Sequence, residues 1–155
     1  MQKKDNLHEA MFRLGRLNLA TVVPDLCQAE MIVMKAIADC VRQAGNPEQG
    51  VNVSVVVGNL CIAPPAVSRT MNALEEKGFI LRSVNKSDRR NTLVTLTVSG
   101  WEKNLDNEQR IKDFMEKIFS RVGEDKIAQT IAYINEIYEV TREELDLIKR
   151  ERGNK

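Results

Sequence analysis

The sequence has few of the residues on which metal binding and nucleophilic catalysis usually depend. Its 155 residues include a single histidine, His8, and three cysteines that form no CxxC pair. This set is too small for a zinc site with ordinary ligand spacing. The sequence also has no Gly-rich phosphate loop, and it offers no combination of a nucleophile and a general base that catalysis would need. We therefore expect no enzyme, no metal ion and no cofactor, and we interpret Cys27, Cys40 and Cys61 as reduced, mostly buried thiols.

Long hydrophobic runs are absent as well. No stretch approaches the roughly 20 uninterrupted apolar residues that a membrane span needs. The first ten residues, MQKKDNLHEA, lack the apolar core of a secretory signal. We expect the chain to stay in the cytoplasm. With 43% hydrophobic residues it is long enough for one well-filled core, so we expect one domain over residues 1–155.

A strong net charge is also missing, because the formal charge is only +1. The distribution of charge is nevertheless uneven. Residues 62–91 carry six basic and three acidic side chains, whereas residues 101–155 carry eleven basic and thirteen acidic ones. The positive excess in the middle of the chain indicates where a polyanion would bind.

Apolar residues at helical spacing predict helices at both ends of the chain. A first helix is expected from about Asp5 to Leu19, and a second from about Cys27 to Ala44. Apolar residues again follow helical spacing from about Ser99. This apolar stripe is much longer than a small central domain could bury. The predicted fold class is therefore mostly α with a small β-hairpin.

The middle of the chain has the element order of a winged helix-turn-helix. The pattern predicts an edge strand, a brief helix, a longer helix and the two strands of a hairpin, at residues 51–53, 55–60, 64–77, 79–84 and 91–97. Ser54 is a suitable N-cap for the brief helix, and Gly78 is expected to close the longer one. In this class of domain a short helix braces a second one, whose exposed end enters a major groove, and the hairpin adds a contact beside it.

Helix 64–77 carries side chains that can contact DNA. Its apolar face is predicted to consist of Val67, Met71 and Leu74. Arg69 and Asn72 can reach base edges, because a guanidinium pairs with guanine and an amide with adenine through two hydrogen bonds each. Ser68 and Thr70 suit phosphates. The predicted DNA-binding set on this helix is Pro65, Ala66, Ser68, Arg69, Thr70 and Asn72.

The hairpin tip is basic. Arg89 and Arg90 can extend into a minor groove, where a narrow width concentrates negative potential. Asp88 can hold one guanidinium in a fixed orientation through a bidentate ion pair, so it would organise the tip without contacting DNA. The predicted DNA-binding set at the tip is Lys86, Asp88, Arg89 and Arg90.

These residues also stand at the spacing of a known signature. The matching positions are Arg69, Leu74-Glu75, Gly78-Phe79-Ile80, Asp88-Arg89-Arg90, and Thr97 with Gly100. In this pattern, and in the helices around it, the sequence resembles the multiple-antibiotic-resistance regulator (MarR) family. The resemblance implies a homodimer formed by helices in segments 5–24 and 99–152. It also implies a winged helix-turn-helix lobe over 26–98, with the recognition helix at 64–77 and the wing at 79–97. A palindromic operator and release by small aromatic or lipophilic ligands are further implications.

Several residues keep two interpretations. Met11, Met31 and Met34 either fill the core or line an effector pocket, because flexible thioethers suit both. Cys27, with Glu30 three residues later, imitates a capping box, and it is either a structural thiol or a redox sensor. His8 is interpreted as a surface residue.

Together these features favour a sequence-specific double-stranded DNA-binding transcription regulator, a repressor released by a small-molecule ligand. The alternative is a winged-helix protein-interaction module without sequence-specific DNA binding, with the long last helix as its contact surface.

Overall fold

Six α-helices and three short strands make up the chain in a computed structural model that describes residues 2–45, 49–60, 62–85, 88 and 91–153. The helices are α1 (Gln2–Gly15), α2 (Gln28–Ala44), α3 (Val53–Gly58), α4 (Pro64–Glu76), α5 (Val98–Val122) and α6 (Glu124–Gly153). The strands are β1 (Val51–Asn52), β2 (Ile80–Val84) and β3 (Thr92–Leu96). The chain divides into two compact units, residues 1–112 and 113–155. Across the described ranges, none of the helices has both the length and the hydropathy that crossing a membrane requires.

The strands form one antiparallel sheet in the order β1-β3-β2. Val51 pairs with Val94 of β3, and on the other side of β3 Ile80 pairs with Leu96. Ile80, Val94 and Leu96 are all buried and belong to the core of the first unit. The predicted fold class is confirmed, and the predicted edge strand joins the hairpin as a third strand.

The core of the first unit lies where α2, α4 and the sheet meet. Met34 and Ile37 of α2 are fully buried, and they belong to the same cluster as the apolar face of α4. That face is as predicted, since Val67, Met71 and Leu74 are at most 1% exposed. Complete burial of one such side chain stabilises the fold by about 1.5–3 kcal/mol. The core therefore decides which face of α4 remains outside.

The predicted boundaries of the first helix and of the brief helix are wrong. The first helix ends at Gly15 instead of Leu19, and a separate 3-10 helix follows at Leu19–Thr21. Asn18 starts this turn because its Oδ1 accepts the backbone N–H of Ala20 at 3.0 Å, a local bond that competes with helix continuation. Ser54 is not an N-cap. The strand β1 continues directly into α3, so the extended residue before the helix is Asn52.

Thr97 and Gly100 join the start of α5 to the end of α4. The Thr97 hydroxyl donates to the carbonyl of Gly78 at 2.7 Å and accepts the backbone N–H of Gly100 at 2.9 Å. The backbone N–H of Thr97 donates to the carbonyl of Phe79 at 3.0 Å. A Cβ atom added at Gly100 would lie 1.9 Å from that carbonyl oxygen. The close approach of the two backbones therefore requires glycine at position 100.

Replacing Gly100 with alanine should destabilise the protein by about 2–3 kcal/mol, because the clash is with backbone and the whole junction must shift. The measurement is the free energy of unfolding in urea. Gly58→Ala is the matched control, since a Cβ at that helical position meets nothing within 4 Å. It should be neutral or slightly stabilising. Equal stability of the Gly100 variant and the wild type would contradict the described junction.

Candidate nucleic-acid interface

The outer face of α4 is exposed and polar. Ser68, Arg69 and Asn72 are exposed, as is Pro65 in the first turn. Among the described residues Arg69 has no ion-pair partner, so its guanidinium is available to a ligand. Thr70 is half-buried, and its hydroxyl donates to the carbonyl of Ala66 at 3.0 Å. The DNA-contact roles of these residues stay predictions.

The start of α4 offers few backbone donors. Pro64 and Pro65 have no N–H group, and the next two backbone N–H groups, those of Ala66 and Val67, both donate to the carbonyl of Ala63 at 2.9 and 3.2 Å. Of the first three helical positions, which usually leave a free N–H at a helix start, two lack the donor and the third, Ala66, already donates to Ala63. Any phosphate contact at this end of α4 would therefore rely on side chains, and Pro65 and Ala66 can offer only apolar contact.

The end of α4 has the predicted glycine closure. Gly78 has a φ of 73°, a left-handed conformation that favours glycine. Its N–H donates to the carbonyl of Glu75, and the N–H of Phe79 donates to that of Leu74, both at 2.9 Å. This pair of bonds is a Schellman motif, which satisfies the last carbonyls and turns the chain sharply into β2.

Lys77 ties the same end of α4 to the start of α2. Its Nζ lies 2.8 Å from the carboxylate of Glu30 and donates to the carbonyl of Asp25 at 3.0 Å. Glu30 also accepts the backbone N–H of Cys27 at 2.8 Å, which confirms its half of the predicted capping box. Burial alone would raise the pKa of Glu30, but the bonds from Lys77 and Cys27 outweigh it, so the pKa lies below its ordinary value. The carboxylate is therefore charged and paired at neutral pH.

The cysteines divide between surface and interior. Cys40 is buried as expected, and its Sγ accepts from Asn59 Nδ2 at 3.3 Å. Cys27 is exposed, so the expectation of a buried thiol is wrong for it. The reason is that the residue before α2 has an extended backbone and lies outside the core. Redox sensing by Cys27 stays a prediction, and Cys61 lies outside the described residues.

The hairpin turn is closed by side-chain and backbone bonds around Asp88. Its carboxylate accepts from Asn91 Nδ2 at 2.8 Å, and its carbonyl accepts the N–H of Asn91 at 3.0 Å. The N–H of Asn85 donates to the carbonyl of Asn91 at 2.9 Å. The other predicted contacts at the tip, Lys86, Arg89 and Arg90, lie outside the described residues.

Sequence reasoning missed the role of Arg82 on β2, which it counted only as a positive charge. Arg82 Nε donates to Glu75 at 2.9 Å, and Nη2 donates both to Glu75 and, at 2.7 Å, to Asn72 Oδ1. The guanidinium thus connects the hairpin to the outer face of α4. The bond from Arg82 holds the pKa of the Glu75 carboxyl below its ordinary value. Arg82 is not among the signature positions, so no signal in the sequence indicates this pairing.

The candidate pocket residues lie in different environments. Met34 is fully buried and Met31 is 9% exposed, both within the core cluster of the first unit. Met11 is 55% exposed on α1. Their role in an effector pocket stays a prediction, and the side chain of His8 lies outside the described residues.

The fold and this face define a winged helix-turn-helix protein. Residues 48–92 match the sequence profile of the MarR family. This segment of the chain is similar to that family. The uncharacterized HTH-type transcriptional regulator YwhA of Bacillus subtilis (strain 168) is 36% identical over 63 residues, which are 39% of this chain and 45% of that protein. The match therefore spans less than half of that relative's length.

Solved structures of transcriptional regulators have the same fold. The PcaV transcriptional regulator of Streptomyces coelicolor superimposes with a TM-score of 0.71 at 16% identity, covering 90% of this chain and 97% of that one. A cysteine-to-serine mutant of MarR from E. coli superimposes with a TM-score of 0.63 at 19% identity, covering 88% and 93%. The winged helix-turn-helix interpretation of the sequence is confirmed.

Replacing Glu30 with glutamine should lower the free energy of unfolding by about 2 kcal/mol near neutral pH, because Lys77 loses a buried charged acceptor. Since the pKa of Glu30 is lowered on folding, its contribution is complete above the ordinary value of 4.5 and is lost as the pH falls through the folded value. The difference between wild type and variant should therefore shrink below about pH 4.5 in urea unfolding series.

Asp39→Asn on the same helix is the control. Asp39 pairs with Lys35 and Arg42 in exposed ion pairs, so its loss should cost less than about 1 kcal/mol. If the free energies of unfolding of Glu30→Gln and wild type differ by the same amount at pH 7 and at pH 3, the result would argue against the charged pair.

Proposed function

We propose that this protein is a sequence-specific double-stranded DNA-binding transcription regulator. The observation that carries the proposal is the two-sided character of α4. Val67, Met71 and Leu74 fix one side in the core, and the other side presents Ser68 and Arg69 to solvent. A helix held in this way beside a hairpin fits a major groove, and the positive excess of residues 62–91 fits a polyanion.

A homodimer is part of the proposal, because apolar residues remain uncovered on two helices. On α1 the large apolar side chains are at least half exposed: Leu7, Met11, Phe12 and Leu14. On α6 five apolar residues follow one another at spacings of three, four or seven residues and form a stripe. Each of them is 43–61% exposed: Ile131, Ile134, Tyr138, Leu145 and Ile148. Contiguous exposed apolar surface of this kind marks an interface. A second copy of the chain is the proposed occupant, through the terminal helices predicted from the sequence.

Replacing Ile134 with glutamate should convert the dimer to monomer at micromolar concentration, because the new charge would be buried without a partner. Sedimentation velocity measures the change. Ala132→Glu is the control, because it adds the same charge to the same helix. On a helical wheel Ala132 lies between Glu139 and Glu143, on the polar face, so this variant should remain a dimer. A wild-type chain that sediments as a monomer throughout this range would remove the dimer from the proposal.

We also propose repression with release by a small aromatic or lipophilic ligand. DNA selects the dimer geometry in which two recognition helices meet successive major grooves, about 34 Å apart. A ligand that prefers another geometry lowers DNA affinity by the ratio of its affinities for the two states. The PcaV regulator of Streptomyces coelicolor, solved in complex with its natural ligand, superimposes with a TM-score of 0.65 at 16% identity, covering 86% of this chain and 89% of that one.

Selection of bound duplexes from a random DNA library should enrich an inverted repeat with half-sites about one helical turn apart. Affinity for the enriched site should fall steeply with salt. If six to ten phosphates are contacted, log K against log salt concentration has a slope of about −5 to −9.

A duplex with the same composition in shuffled order is the control, and it should bind more weakly at every salt concentration. Binding to no duplex, even at low salt, would contradict the regulator and favour the protein-interaction module.

A further inference from the structure

The side-chain amide of Asn72 is held in one orientation. Its Oδ1 accepts from Arg82 Nη2 at 2.7 Å, and among the described residues its Nδ2 has no hydrogen-bond partner. Asn72 is exposed on the outer face of α4, where the proposed function places DNA. The amide therefore presents its two N–H donors to a ligand, while its oxygen faces the Arg82 guanidinium and keeps only one of its two lone pairs.

Arg82 can impose this orientation because it is itself fixed. Its Nε and one of the two N–H groups of Nη2 both donate to Oε2 of Glu75. Its backbone N–H donates to the other carboxylate oxygen, Oε1, at 3.2 Å. The side chains of Arg82 and Glu75 are 27% and 35% exposed, so the pair is partly shielded from water. The remaining Nη2 hydrogen is the one that Asn72 accepts.

A half-turn of the Asn72 amide would remove this bond. It would bring Nδ2, which can only donate, against a guanidinium that can also only donate. The amide orientation is thus set by Arg82, a residue of the hairpin, and Arg82 is set by Glu75 of α4.

This arrangement changes the base expected opposite Asn72. Bidentate binding of adenine needs the amide oxygen to accept from N6 while the amide nitrogen donates to N7. Guanine offers two adjacent acceptors, O6 and N7, and no donor in the major groove. An amide whose two donors are free and whose oxygen is turned toward a guanidinium fits guanine better than adenine.

We propose that Arg82 is a positioning residue that turns the Asn72 amide so that its donors face DNA, which gives a preference for guanine. The proposal rests on the proposed function, because it concerns the base specificity of the same face. It replaces the adenine contact expected from the sequence.

The experiment is random-duplex selection with four proteins: wild type, Arg82→Met, Asn72→Ala and the double variant. Wild type should enrich guanine at one position of each half-site, and Asn72→Ala should lose that preference. Arg82→Met frees the amide, so the guanine-to-adenine affinity ratio at this position should fall by about tenfold and favour adenine. The double variant should match Asn72→Ala, because Arg82 acts there only through Asn72.

A second variant removes any ambiguity from misfolding. Arg82→Met leaves Glu75 without its partner, so Glu75→Gln/Arg82→Met is tested beside it, and thermal unfolding is recorded for both. The doubly neutral variant should show the same change from guanine to adenine. A residue with a purely structural role would lower affinity for all sequences and leave the base preference unchanged.

The outcomes separate the two proposals. If wild type enriches no site, the regulator function itself is overturned. If wild type instead enriches a site at which the base that depends on Asn72 is already adenine, the regulator function stands and the positioning role is wrong. The same conclusion follows if the preferred base stays the same in both Arg82 variants. A uniform loss of affinity with a salt slope shallower by about one would make Arg82 a phosphate contact and would overturn the positioning role.

Discussion

Val67, Met71 and Leu74 hold α4 against α2 by burying nearly all of their surface, and the arrangement of the outer face follows from this contact. Each of these side chains contributes about 1.5–3 kcal/mol, which exceeds the contribution of less than about 1 kcal/mol from an exposed ion pair. Because a helix repeats every 3.6 residues, fixing one face also fixes which residues lie opposite. Packing, and not the polar network, therefore determines that Ser68 and Arg69 face solvent.

Packing alone leaves the ends of the helix undetermined, and different polar interactions fix each end. At the carboxyl end the glycine closure at Gly78, the Lys77–Glu30 ion pair and the hydroxyl of Thr97 meet within a few residues. At the amino end Pro64 and Pro65 remove the donors that would need partners. The carboxyl end is thus tied to α2 and α5, whereas the amino end depends on its own backbone geometry.

The features that sequence reasoning found depend on local chemistry. The apolar face of α4, its closure at Gly78 and the β-hairpin each follow from residue types at fixed short spacing, and all three are confirmed. The errors arose where two local signals competed. Ser54 has the chemistry of a cap, but the preceding strand continues directly into α3.

Lys77 and Glu30 are 47 residues apart, and no pattern in the sequence indicates that their elements pack together.

The two candidate base contacts on α4 differ in how much freedom they lose on binding. Arg69 is exposed and, within the described chain, unpaired, so ordering its side chain costs up to about 2 kcal/mol of conformational entropy. Asn72 is already held by Arg82, so most of this cost is met when the protein folds. A fixed amide cannot rearrange to suit a second base, whereas a mobile guanidinium can contact either a base or a phosphate. The held residue is therefore the better source of specificity and the mobile one the better source of general affinity.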